Sequence, residues 1–187
     1  MRFELTPDSS VAIELRATGL LRAVGHDPVL TARPEPFAVV IEAARDDDEV
    51  DVPIAVSFRA TAIELPGDLS PGDRVRMRDN LNGRDVLDSQ RFPSIEVRGH
   101  YKGTLAAGQL RASIMLRGTE HQVDVPLRLG RQQDEPNVRV TGTWEGRLTD
   151  LGIKPFRALM GALRLEDWAK LRIDARMRDA TERTSGR

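Results

Sequence analysis

From Val11 to Met177 the chain returns again and again to one pattern, an apolar residue at every second position. Val11, Ile13 and Leu15 interleave with Glu14 and Arg16. Val123, Val125, Leu127 and Leu129 interleave with Gln122, Asp124 and Arg128, and Leu171, Ile173, Ala175 and Met177 with Arg172, Asp174, Arg176 and Arg178. Side chains of an extended strand point alternately to its two faces, so each run makes one dry face and one wet face. Further runs of this kind are "FAVVIEA" (37–43), "VPIAVSFRATAIEL" (52–65), "SIEVRGHYKG" (94–103), "QLRASIMLRG" (109–118) and "NVRVTGTWEGRL" (137–148). Gly, Pro, Asp and Asn separate them at hairpin-like intervals. About eight antiparallel strands imply an all-β sandwich or a closed barrel. Neither the first nor the last strand carries the proline of a protected edge, so the two are expected to pair with each other.

Two segments break the alternation. In "SPGDRVRMRDNLNGRDVLDSQRFPSI" (70–95) a Ser-Pro pair stands at a helix start and Pro93 closes the far end, which predicts a helical insertion over about 70–90. Val75, Leu81 and Leu87 are its expected apolar contacts. In "KPFRALMGALRLEDW" (154–168), Phe156, Leu159, Met160 and Leu163 fall at helical spacing, which predicts a short amphipathic helix near 155–162 acting as lid or plug. Residues 1–178 read as a single domain. The end of the chain, 179–187, has almost no apolar residues and is expected to be a disordered tail.

Composition removes whole classes of chemistry. The chain has no cysteine, which excludes disulfides, thiolate nucleophiles and Cys-ligated metals. Its charges nearly cancel at a net of -1, so no long-range field steers it to nucleic acid, and aromatics at 4% are too few for stacking on single strands. Trp144 and Trp168 read as core aromatics. No run approaches the roughly 20 apolar residues of a membrane span, and the opening "MRFELTPDSSVAIEL" lacks the apolar core of a secretory signal, which predicts a cytoplasmic protein. No phosphate-cradling glycine loop, nucleophile elbow or His-x-x-x-His pair is present. The acidic run "RDDDEVD" (45–51) reads as a solvated hairpin tip, because a calcium loop also needs a Gly turn and a distal Glu.

The three histidines need separate readings. His26 sits in Gly25-His26-Asp27-Pro28, where glycine permits a sharp backbone, Asp27 can bond nearby backbone, and the residue before proline is driven to an extended conformation. A strand restarting after a kink accounts for it, and an imidazole there could also meet the polar head of a ligand. His100 reads as a wet-face strand residue. His121 follows the Gly118-Thr119 turn and reads as the start of a strand. If the three converged, they would form one familiar zinc set, and His26 with Asp27 would then be candidates for a metal-assisted small-molecule enzyme.

Four segments together resemble a known family: the first alternating strand leading to "VGHDPVL", then "MRDNLNGRDVLDSQRFPSIEVRG", "QLRASIMLRGTEHQVDVPLRL" and "LGIKPFRALMGALRLEDWAKLRIDA". They follow the order and spacing of the YceI-like family of polyisoprenoid-binding proteins, over about residues 9 to 178. "LDSQRFPSIEV" resembles the family's exit from its helix into Phe/Tyr-Pro and a strand. "LRGTEHQVDVPL" resembles its Gly-Val-Thr-Lys-Pro-Val hairpin, with Thr119-Glu120-His121 at the turn. "DLGIKP" resembles its Asp-Phe-Gly-Ile strand end, with Leu151 in place of the usual Phe.

The resemblance implies an antiparallel eight-stranded lipocalin-like β-barrel that binds, stores or carries an apolar or amphiphilic small molecule, an isoprenoid or a fatty-chain lipid, without catalysis. Residues expected to meet that ligand are Val24, His26, Leu30, Val56, Phe58, Ile114, Leu116, Phe156 and Met160. It implies no metal, no catalytic residue and no cofactor beyond the bound lipid; it leaves a homodimer open. Many relatives carry a signal peptide, which this sequence does not display. A barrel packed solid with its own Leu, Ile and Met would instead be a structural or partner-binding module.

Overall fold

The computed structural model describes residues 2–18, 27–41, 47–131, 137–155, 157–158 and 163–180. The alternating runs form strands β1 (Arg2–Leu5), β2 (Ser10–Thr18), β3 (Val29–Ala32), β4 (Ala38–Val40) and β5 (Val50–Arg59). After helix α1 (Pro71–Asn82) come β6 (Ser94–Gly103), β7 (Ala107–Leu116), β8 (Thr119–Arg131), β9 (Asn137–Gly146), β10 (Arg157–Ala158) and β11 (Leu163–Asp179). All pairings are antiparallel. The sheet runs β3-β2-β11-β9-β8-β7-β6-β5, an eight-stranded curl of the lipocalin-like type, with β1, β4 and β10 attached beside it.

The first and last strands do pair: β2 lies against the first part of β11 and β1 against its end. Between them the chain turns at Ser9, whose buried hydroxyl accepts from Arg176 N at 2.9 Å and donates to Arg176 O. The weak join lies elsewhere. Among the described residues the β3 and β5 edges of the sheet are joined by isolated bridges, Thr31 with Glu64 beyond β5 and Pro34 beyond β3 with Phe58. Side chains reinforce this seam, Arg33 donating to Glu64 at 2.7 Å, and Ser57 and Arg59 to Glu35 at 2.8 and 3.2 Å. Pro53, in the middle of β5, fits a strand with one side free of a continuous ladder.

Alternation decides which side is dry. On β8 Val123, Val125 and Leu127 are buried while Gln122, Asp124 and Arg128 are exposed. The β7–β8 turn has two residues, Arg117 (φ 50°) and Gly118 (φ 73°), the type I′ geometry that matches the twist of a hairpin.

Helix α1 starts where the Ser-Pro pair places it. Ser70 accepts from Asp73 N at 3.2 Å and Pro71 takes the first position. Its attachment differs from the expected apolar stripe, because Val75 is 61% exposed and faces away from the barrel, leaving Leu81 as the buried helix residue. Guanidinium groups tether it instead: Arg74 donates to Pro66 O and Gly67 O, and Arg78 to Ile63 O at 2.6 Å. The run 52–65 is also shorter as a strand than its alternation implies. It ends at Arg59 and turns through a 3₁₀ segment, Ala60–Ala62, where fully buried Ala60 donates to Pro93 O.

Three further expectations meet a correction. The helix near 155–162 is contradicted at Arg157–Ala158, which pair with Leu163 and Arg164 as a short strand; Phe156 and residues 159–162 lie outside the described residues. The alternation of β11 simply continues back to Leu163 and recruits an extended partner. The tail does not begin at 179, since Asp179 pairs with Phe3 and Ala180 N donates to Arg2 O; residues 181–187 lie outside the described residues. Trp168 is not a core residue. A bulge between Leu165 and Ala169 turns it toward Arg16, whose guanidinium lies 3.7 Å from the ring centre, and its Nε1 donates to Glu145 at 2.8 Å.

Candidate functional site: an apolar lumen

The inward faces of the curled sheet do not fill its interior. They enclose a cavity of about 340 Å³ walled by aliphatic and aromatic side chains of β2, β3, β5 to β9 and β11. The lower end, beside the β6–β7 turn, is packed shut. Phe3, Ile41, Leu105, Leu129, Val138 and Met177 surround a gap of only about 10 Å³ there, the lower limit for one water. Tyr101 reaches the same end, and its hydroxyl donates to Thr104 O at 2.5 Å, so its polar atom makes no demand on the lumen.

The upper end, beside the β7–β8 turn, is roofed by Leu81, Val86 and Leu87 from α1 and its exit turn, and by the 3₁₀ segment Leu148–Leu151 with Ile153. Polar contacts hold this roof to the barrel. His121 Nδ1 lies 2.9 Å from Asp150 O, and because a carbonyl only accepts, that nitrogen carries the proton. Arg117 donates to Gly152 O and, at 3.0 Å, to Arg84 O, linking the segment after β9 to the segment after α1. Asp167 accepts from Thr149 N at 2.9 Å, Thr149 Oγ1 at 2.7 Å and Arg147 Nε at 2.9 Å. Those bonds, led by the Thr149 backbone N–H, hold its carboxyl below the usual carboxylate range. Gly152 ends the 3₁₀ segment at φ 68°, and a Cβ there would stand 3.1 Å from the His121 ring.

Of the residues expected to meet a ligand, Leu30, Val56, Phe58, Ile114 and Leu116 all line this cavity. Val24, His26, Phe156 and Met160 lie outside the described residues. Asp27 is engaged with backbone, its Oδ1 accepting from Ala17 N at 2.9 Å. His100 is exposed and bonds Asp51 Oδ1 at 2.8 Å, on the opposite side of the sheet from the lumen residue Tyr101 that follows it. It therefore does not converge with His121, and among the described residues no group of three His, Cys, Asp or Glu side chains could hold a metal ion. The wall extends well beyond the residues expected to meet a ligand, and two of its members stand out. Trp144 was assigned to a core rather than a wall, and Lys154, two residues after Gly152, carries the only charged side chain among the described lining residues. A lysine in a loop gives no periodic signal by which to find it.

No family model matches the sequence, and no curated protein is recognisably similar to it. Solved structures are similar in fold. BcnA of Burkholderia cenocepacia, 11% identical, superposes with a TM-score of 0.61 over 90% of this chain and 95% of that one. The YceI protein of Campylobacter jejuni, also 11% identical, does so with a TM-score of 0.51 over 74% and 78%.

Proposed function

We infer that this chain, which shares the fold of the YceI proteins, is a binding protein whose lumen takes up the hydrocarbon part of an isoprenoid or fatty-chain amphiphile. The observation that carries the reading is the cavity of about 340 Å³ with its apolar wall. That volume lies at the lower end of small-ligand pockets. At about 24 cal/mol per Å³ of unfilled core, leaving it vacant would cost on the order of 8 kcal/mol, comparable with the whole stability of a domain. A hydrocarbon guest removes that cost and loses its own contact with water, while a packed-barrel module has no use for the space. Binding rather than turnover fits a wall that, among the described residues, holds no acid and no imidazole. No described helix is long and apolar enough to cross a membrane.

Two experiments test the reading. Mass spectrometry of an organic extract of the purified protein is expected to release a chain-bearing lipid. Titration with straight-chain alcohols is expected to show affinity rising about fourfold per methylene, the equivalent of about 0.8 kcal/mol. The rise should flatten at on the order of ten carbons, if each takes about the 30 Å³ of a liquid water molecule. Affinity independent of chain length would rule the lumen out as the binding site.

A further inference from the structure

We propose that the lumen selects amphiphiles with an anionic head, and that Lys154 is the residue that makes the selection; this rests on the lumen being the ligand site. The argument begins with contrast. The described cavity wall is otherwise uncharged, so one ammonium group on it dominates the field that a polar head would meet. Its position is terminal rather than central: it follows Leu148, Leu151 and Ile153, which roof the upper end, and it is itself exposed. A chain in the tube would therefore bring its head to Lys154 without burying a charge, avoiding the penalty that makes ions inside apolar walls costly.

The charge is also unspent. Most basic residues on the described surface hold an acid, as in Arg33–Glu64, Arg139–Asp174, Arg172–Glu14 and Arg176–Asp8. Lys154 makes no ion pair or hydrogen bond among the described residues. The acids of the same roof are committed elsewhere, Asp150 accepting from Arg147 N, and Asp167 from Arg147 and Thr149. The neighbouring cation adds to the bias. Arg117 reaches Gly152 O, and its two contacts are carbonyls rather than carboxylates, so it leaves a second positive charge uncompensated at this rim. A carboxylate or phosphate head is favoured there, a neutral head gains little, and an amine is repelled.

The test compares dodecanoate, dodecanol and dodecylamine, below their micellar concentrations, on the wild-type chain and on Lys154→Met, Lys154→Arg and Lys154→Glu. Wild type is expected to bind dodecanoate about fivefold more tightly than dodecanol, the upper range for an exposed ion pair, with the ratio shrinking in high salt. Lys154→Met should take the ratio most of the way to one, and Lys154→Arg should keep it. Lys154→Glu should reverse the order in favour of the amine. Equal binding of acid and alcohol by wild type, or a ratio that survives Lys154→Met, would overturn this inference and leave the lumen reading standing. Failure of all three probes to bind would overturn both.

Discussion

Val97→Trp separates a ligand lumen from an incompletely packed core by the sign of its effect. Val97 sits in the middle of β6, in register with Val56 on one side and Ile114 on the other, and all three face the cavity. Replacing isopropyl by indolylmethyl adds about seven non-hydrogen atoms to the lumen, displacing about as many chain carbons at about 0.8 kcal/mol each. Binding of a dodecyl chain should therefore weaken by about 5–6 kcal/mol, or about four powers of ten, placing it beyond detection by calorimetry. Stability of the free protein should move the other way or not at all, because the indole enters a void of about 340 Å³. In a filled core the same change overpacks and costs about 1–3 kcal/mol. At about 2–4 °C per kcal/mol for a chain of this size, that is a fall in Tm of about 2–12 °C. Thermal melting and titration with dodecanol read the two quantities independently. A melting temperature lowered by this amount together with unimpaired dodecanol binding would show that the space is not where the chain goes.

Three other substitutions test the frame around the lumen. Gly99→Ala places a methyl 2.1 Å from Arg111 O and 2.6 Å from Ala112 Cα. Backbone on the neighbouring strand cannot yield cheaply, and urea unfolding should show a loss of about 1–3 kcal/mol. Asp27→Ala removes the acceptor of the Ala17 N–H and should cost about 1 kcal/mol, with faster hydrogen exchange at the Ala17 amide as its local signature. Asp167 has its carboxyl pKa depressed in the folded chain, by the Thr149 bonds first and Arg147 after them. Its contribution is complete above the unfolded value near 4 and is lost as pH falls through the lower folded value. Wild type should then lose more melting temperature between about pH 5 and 3 than Asp167→Asn does, and parallel curves for the two proteins would refute that role.

The strands were legible because period two is a local signal: Val123, Val125 and Leu127 announce their shared face without reference to any partner. A shared face came with it for Val56 and Phe58 and for Ile114 and Leu116, while the lumen that these residues and Leu30 line was implied by the family resemblance rather than by alternation. What alternation cannot carry is where a strand stops. Pro93 N-terminal to β6 offers a carbonyl to Ala60, and that tertiary bond helps end β5 at Arg59 although the apolar pattern runs on to Leu65. Helix α1 misled in the opposite way. Its caps were visible in Ser70 and Pro71, but its anchoring by Arg74 and Arg78 to loop carbonyls depends on segments that meet only in three dimensions. The bulge that turns Trp168 outward and the lone charge of Lys154 are single-residue events of the same kind.

The place of β11 in the sheet bears on how the molecule is made. Strands β6 to β9 are neighbours in sequence as well as in space and can pair one after another, while β5 joins β6 across the intervening helix α1. β2 cannot join them directly. Its route into the sheet runs through β11, so that Ile13 must wait for Leu171 and Ser10 for Asp174, almost a full chain length away. Contacts of such sequence separation form late and slowly, and through that interval the dry faces of β2 and β3 stay open to other chains. A chain that ends before β11 loses no mere edge; it is left with two fragments of sheet joined by little more than the bridged seam between the β3 and β5 edges.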